Sequence, residues 1–304
     1  MNFNFSLFSV FVLGILLTAC NGGAGGEHLD DAEGNELNEI PKILLEDTEA
    51  LKTNINGKIF SIPSPVQMVT LLKKENDVFN ENLLTDPNLV ESYTVSSKRA
   101  LIMGVYGADL GYATIYDNNS KALSYFNALD KLSNDLGLSG AFDGNLLERF
   151  IENGNNQDSL LVIMSEGYRG GDQFLKDNKQ HDVAALILVG GWVEALYFAS
   201  EIYSKTKSQA IANRIGEQAT ALSTFLALLS EYNTDNKFDD LIADFTDLQA
   251  DFNKIEFEYV YAEPVQYPEK SMTHIKSTSA VVVNEKVLSS IDVSIKKLRN
   301  KIIG

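Results

Sequence analysis

Apolar residues recur along most of this chain at helical spacing. Phe238, Leu241, Ile242, Phe245, Leu248, Phe252 and Ile255 form one stripe, three and four residues apart. Leu123, Phe126, Leu129, Leu132 and Leu136 keep another face apolar, as do Leu146, Leu147, Phe150 and Ile151 behind a cap at Asp143. Leu160, Leu161, Met164, Tyr168, Gly171 and Leu175 mark the next helix, capped by Asp158. Near the end, Leu288, Ile291, Ile295, Leu298 and Ile302 alternate spacings in the manner of a seam against other helices. Helix starts at Asn156, His181, Ser208 and Asp235 fall at a regular rhythm, which predicts helices of similar length joined by short turns.

Residues 182–203 are apolar nearly all round, and a helix without a polar face is surrounded by others. A membrane span is the alternative, against which stands Glu194 in the middle of the run. The pattern predicts an all-α domain over residues 59–304: an antiparallel multi-helix bundle around this central helix. Departures from helix are a Pro-rich break at Ile62-Pro63-Ser64-Pro65, where Ser64 should cap a helix over 66–73, and a loop-rich stretch to Val95. An extended crossover is expected at Phe257–Tyr267, ahead of the last helix.

The front of the chain has a different pattern. Phe5–Leu17 is an apolar run too short to cross a bilayer, ending in Leu17-Thr18-Ala19-Cys20. That spacing has the form of a lipobox. It predicts a signal peptide over residues 1–19 and acylation of Cys20, although the n-region lacks Lys and Arg. Residues 20–58 then read as an acidic tether. Between Asn21 and Ala50 nine acids face one base, Lys42, behind a glycine-rich opening, with a short amphipathic helix at 40–51. Cys20 is the one cysteine, so its acylation leaves no thiol for disulfides, catalysis or metal binding.

Charge narrows the partners. The net charge is −17, which repels phosphates and excludes nucleic acid as an expected partner. The expected partners are the membrane, through Cys20, and an envelope protein or small polar ligand.

Chemistry concentrates in three segments. In Leu101–Tyr116, Gly104, Gly107, Ala108 and Gly111 gather on one helical face, and Tyr106, Asp109, Tyr112 and Tyr116 on another. The glycines predict close approach of a second helix. The Asp/Tyr face lines either a pocket or a core layer. In Ser165–Asp172, Arg169 can pair with Glu166 or Asp172, or anchor a carboxylate ligand. On the central helix, Glu194 needs a donor, a raised pKa or a wet cavity, and Tyr197 shares its face. Arg169 and tyrosine hydroxyls are its expected partners. Candidate ligand-binding residues are therefore Asp109, Tyr112, Tyr116, Glu166, Arg169, Glu194 and Tyr197. His28, His181 and His274 form no metal-ligand spacing, and Gly-x-Ser-x-Gly is absent, so no catalytic set, metal or cofactor is expected.

Leu17-Thr-Ala-Cys20, Tyr106-Gly-Ala-Asp-Leu-Gly-Tyr112 and Gly190-Gly-Trp192 resemble a group of Bacteroidota envelope lipoproteins. The resemblance spans about residues 59–302. It implies lineage and an envelope address, but no activity. The expected address is the outer membrane, facing the periplasm, with the cell surface as the alternative. The expected role is non-catalytic binding or scaffolding. An enzyme using buried carboxylates and tyrosines, and a component of an envelope assembly, are the alternatives. The first two turn on whether Asp109, Arg169 and Glu194 converge on an open cavity or pair off in a dry core.

Overall fold

The computed structural model describes residues 51–55, 58–62, 65–141, 144–268 and 272–304. The signal segment, Cys20, the helix expected at 40–51, Ser64 and the Asp143 cap lie outside the described residues.

The architecture is mainly helical. A hairpin of β1 (Leu51–Ile55) and β2 (Lys58–Ile62) pairs Leu51 with Ile62 and Ile55 with Lys58, so the boundary expected at Lys58 cuts through it. Then come α1 (Pro65–Glu75), α2 (Ser96–Ile115), α3 (Asn119–Asp135), α4 (Leu146–Glu152) and α5 (Gln157–Asp177). The central α6 (His181–Thr206) precedes α7 (Gln209–Gly216), α8 (Gln218–Glu231) and α9 (Asp239–Phe252). The last helix is α10 (Glu285–Ile303). The α5 cap is Asn156, whose side chain accepts from the Ser159 N–H, rather than Asp158. Ser208 caps α7 by the same device.

The expected crossover is two antiparallel ribbons. β3 (Glu256–Val260) pairs with β6 (Thr278–Val282), and β4 (Val265–Tyr267) with β5 (Met272–His274). The fold is thus all-α in its body but not throughout.

Helix α6 is the hub. It packs against α1, α2, α5, α7, α8 and α10, and buries Val189, Val193, Leu196 and Phe198. By length and composition it could cross a membrane, yet 72% of its apolar window is covered by the rest of the bundle. Trp192 is held between α8 and α9. Its indole N–H donates to Gln218 at 3.0 Å, and its ring meets Phe225 and Phe245.

The glycines of α2 do what the pattern predicts, with two different partners. A Cβ at Gly104 would stand 1.9 Å from the Ile187 carbonyl oxygen, and one at Gly190 would stand 1.9 Å from that of Leu101. The α2 and α6 backbones therefore touch, which only glycine permits. Gly107 and Gly111 face Tyr168 and Met164 of α5 instead. Contacts from Gly104–Gly191 to Tyr112–Phe198 advance together along both helices, so α2 and α6 run parallel. The antiparallel expectation fails for this pair because short turns constrain only sequential helices, and three helices intervene. It holds for α6 and α10, where Lys207 meets Glu285, Ser200 meets Asp292 and Glu194 meets Arg299.

Candidate functional site

Two sites emerge, an enclosed charge cluster and a cavity. The cluster lies where α2, α6 and α10 meet the segment before α2. Glu194 is wholly buried, and Arg299 of α10 grips it with two bonds, Nε to Oε2 at 2.6 Å and Nη2 to Oε1 at 2.7 Å. The same Nη2 donates to the Leu83 carbonyl and the Thr85 hydroxyl, which in turn donates to Glu194. The guanidinium lies over the Tyr197 ring, 4.1 Å from its centre. Burial works against the charge on Arg299, but its bonds to Glu194 outweigh that and hold it protonated.

Asp109 completes the cluster and is also wholly buried. Its Oδ2 accepts from the Thr85 N–H at 3.3 Å, while Oδ1 finds no donor among the described residues. Burial raises its pKa well above the usual carboxylate value, and the adjacent Glu194 charge raises it further. Burial pushes Glu194 up as well, opposed by the bonds from Arg299. The arrangement these forces favour is a cationic Arg299, an anionic Glu194 and a protonated Asp109 shared towards Glu194. Its net charge is zero, which is how a dry interior accommodates three ionisable groups.

The tyrosine face of α2 fastens a strap rather than lining a pocket. Residues 76–95 cross it as a loop with two short 3-10 turns, Glu81–Leu83 and Pro87–Ser92. Tyr106 donates to the Asp86 carbonyl, Tyr116 to that of Asn76, and Tyr125 of α3 to that of Thr85. The Tyr112 hydroxyl accepts from the Asn80 N–H. Tyr112 and Tyr116 thus sit as core anchors, in the manner of the core layer that is one of the two readings of this face. Burial raises the pKa of all four, so these hydroxyls stay neutral.

Arg169 and Glu166 do not join the cluster. Arg169 is exposed on α5, and Glu166 bonds Arg149 of α4 at 2.6 Å, while Asp172 pairs with Lys176. Facing outward on α5, Arg169 is turned away from the core in which Glu194 lies. Sequence reasoning missed Arg299 and Thr85. For Arg299 a signal existed: it stands four residues after Ile295 and three before Ile302, on the apolar seam itself. A base on that seam and an acid in the middle of an apolar helix are natural mates.

The cavity lies elsewhere, among α2, α3, α4, α5 and α6, with a volume of about 240 Å³. Leu110, Phe126, Leu129, Met164, Leu175 and Ile187 supply apolar wall. Gly167, Tyr168, Gly171 and Asp172 line it from α5, so the second chemical segment does face a cavity, through its glycines and tyrosine rather than its ion pair. The Tyr168 ring is over a third exposed, but its hydroxyl end is buried 2.8 Å from where a Gly107 Cβ would stand. Burial raises its pKa, which keeps that end uncharged. Ser133 of α3 also lines the cavity. It is 2% exposed, and its hydroxyl has no hydrogen-bond partner among the described residues. Leaving a buried hydroxyl unbonded costs about 1–3 kcal/mol.

No protein-family model, curated protein or solved structure matches this chain. The site must therefore be read from its own geometry. Among the described residues, no group of three His, Cys, Asp or Glu side chains could hold a metal ion. Glu194 is taken up by Arg299 and Thr85, whereas Asp109 keeps one oxygen without a donor among the described residues.

Proposed function

We propose that this chain is a non-catalytic binding protein of the cell envelope, held to a membrane through acylated Cys20, with the cavity beside α5 as its ligand site. The single observation behind the binding role is a cavity of about 240 Å³ whose walls are mainly apolar, from Leu110, Phe126, Leu129, Met164, Leu175 and Ile187. The address rests on Leu17-Thr18-Ala19-Cys20 and on the resemblance to Bacteroidota envelope lipoproteins, with the periplasmic face of the outer membrane as the placement. The small polar ligand expected at Asp109, Arg169 and Glu194 is replaced in this reading by an apolar one, because those groups do not share an opening.

Filling the cavity tests the binding role. Ala184 of α6 lines it, and Ala184→Leu would occupy part of its volume. The variant should keep or raise the melting temperature and bind naphthalene at least about tenfold more weakly, since losing about 1.4 kcal/mol is a factor of ten. Undiminished binding would move the site elsewhere. Cys20→Ala should release the protein from the membrane fraction, and the mass of the detergent-extracted parent should carry acyl chains. An unmodified thiol there would end the anchor.

A second reading, a component of an envelope assembly, is favoured by the ribbons. Phe257, Tyr259, Tyr261 and Ile275 are all more than half exposed. Crosslinking in intact cells should then trap a partner through position 259; recovery of the uncrosslinked chain alone would count against it.

A further inference from the structure

We propose that the middle of the strap, residues 80–86, is a proton-controlled lid, closed over the Glu194–Arg299 pair while Asp109 carries a proton and lifted from it when that proton leaves. The cavity beside α5 plays no part in this. The lid is fastened at Thr85, which is 3% exposed and has every polar group bound by a buried side chain. Its N–H donates to Asp109, its hydroxyl donates to Glu194 and accepts from Arg299, and its carbonyl accepts from Tyr125. On either side, Arg299 binds the Leu83 carbonyl and Tyr106 that of Asp86.

The other elements around the cluster cannot give way. Helices α2 and α6 touch backbone to backbone at Gly104 and Gly190, and α10 is fixed by its buried seam of Ile291, Ile295, Leu298 and Ile302. Residues 80–86 have no such hold. Their own backbone bonds are local, from the Leu83 N–H to the Asn80 carbonyl and from the Leu84 N–H to that of Glu81. Among the described residues, no backbone bond ties this stretch to a helix. Leu83 and Thr85 are its fully buried side chains, while Glu81, Asn82 and Asp86 are exposed. Segments with so few buried contacts open below the free energy of global unfolding.

Charge supplies the control. Asp109 and Glu194 are both wholly buried and hydrogen-bond each other, and Arg299 is the cation they share. Its two bonds go to Glu194, so one anion is balanced and a second is not. The other titratable groups around Asp109 are Tyr106 of α2, Tyr125 of α3, and Asp86 and Tyr93 of the strap, while Tyr197 of α6 lies against Arg299. Burial raises the pKa of these four tyrosines, so they stay neutral as Asp109 titrates. When Asp109 gives its proton to water, it stops donating to Glu194 and becomes a second anion beside it. Two carboxylates then share one guanidinium in a dry site. Lifting residues 80–86 lets water reach both acids while α2, α6 and α10 stay packed. Burial beneath the lid holds the Asp109 pKa well above the usual carboxylate value, and lifting the lid returns it towards about 3.9.

Native-state hydrogen exchange on the full-length chain, corrected for the intrinsic exchange rate at each pH, reads this opening. The reporting amides are those of Asn80, Leu83, Leu84 and Thr85, which donate to Tyr112, Asn80, Glu81 and Asp109. We expect their protection to lie below that of the α6 amides. We also expect it to fall about tenfold per pH unit from about pH 5 towards the folded pKa of Asp109, because each opening releases one proton. Asp109→Asn has no proton to lose there, so its lid protection should be flat over the same range. Three results would each overturn the proton-controlled lid: flat protection in the parent, a slope that persists in Asp109→Asn, or lid amides that match those of α6 at every pH. The last would mean that residues 80–86 open only with the whole fold. The first and last are read on the parent alone, whatever the stability of Asp109→Asn.

Discussion

Arg299 is the residue on which the interior charge balance depends. Without it, Glu194 would sit among α2, α6 and α10 with neutral donors alone and no counter-charge. Breaking a buried pair from one side usually costs about 3–5 kcal/mol, whereas replacing both partners by apolar groups can be neutral. Arg299→Met should accordingly lower the unfolding free energy by about that amount in urea titrations. The double substitution Arg299→Met with Glu194→Leu should recover much of it. A single variant costing under about 1 kcal/mol would mean that the pair is not buried as described. Asp109 permits a separate test, because its pKa is raised. The folded chain keeps a proton that the unfolded chain releases above about pH 4, so stability falls as pH rises, by about 1.4 kcal/mol per unit up to the folded pKa. Asp109→Asn cannot lose a proton. The variant should gain on the parent progressively as pH rises from about 4 towards the raised folded pKa, while the depressed acids Asp182, Asp251 and Glu285 affect both chains alike. A difference that stays flat with pH would show Asp109 to be ionised.

Among the elements, the α2–α6 contact is the least tolerant, and the glycines on it are not equivalent. Gly104→Ala and Gly190→Ala each drive a methyl into a backbone carbonyl that cannot rotate away, so the helices must separate. Each should cost at least about 3 kcal/mol, at the upper end of overpacking effects. Gly111 meets only the Met164 methyl at 3.8 Å, an ordinary contact, so Gly111→Ala should instead stabilise by about 0.5–1 kcal/mol through helix propensity. Equal effects at 104 and 111, measured by thermal unfolding, would contradict the packing. The same contact marks how far the sequence could be read. The helices, the central position of α6 and the glycine approach follow from local spacing, because 3.6-residue periodicity is a property of each segment alone. The parallel run of α2 beside α6 depends on helices that lie between them in the chain, which no local pattern encodes. The Glu194–Arg299 pair joins residues 105 positions apart. The cavity is a space that facing side chains fail to fill, and it leaves no pattern in a single sequence. The ribbons were legible only as β-prone residues, since β3 is exposed at every position and so lacks the in–out alternation of a half-buried strand.

At the scale of the whole molecule, the helical body closes on itself through its last helix. The final seam of α10 is buried, Arg299 reaches Glu194, and the Tyr93 hydroxyl donates to the Ile303 carbonyl, so the chain end is tied to the strap before α2. The ribbons contribute little to that closure. Val281 of β6 packs against α7 at Gly216, but beyond it Tyr259, Val260, Tyr261, Met272 and Ile275 all lie in solvent. Exposed aromatic side chains gain nothing from burial, so the outer ribbon should be dispensable to folding. Val260 pairs directly with Thr278, which allows the tip to be removed at a point of matched register. Replacing residues 261–277 by Asn-Gly, a sequence suited to a two-residue hairpin turn, should leave the melting temperature within about 2 °C, consistent with a change well under 1 kcal/mol in a domain of this size. Naphthalene binding should be unaltered as well, because the cavity lies among α2–α6. Loss of cooperative unfolding would instead make the ribbon a structural brace, and the case for it as a surface offered to a partner would fall with that result.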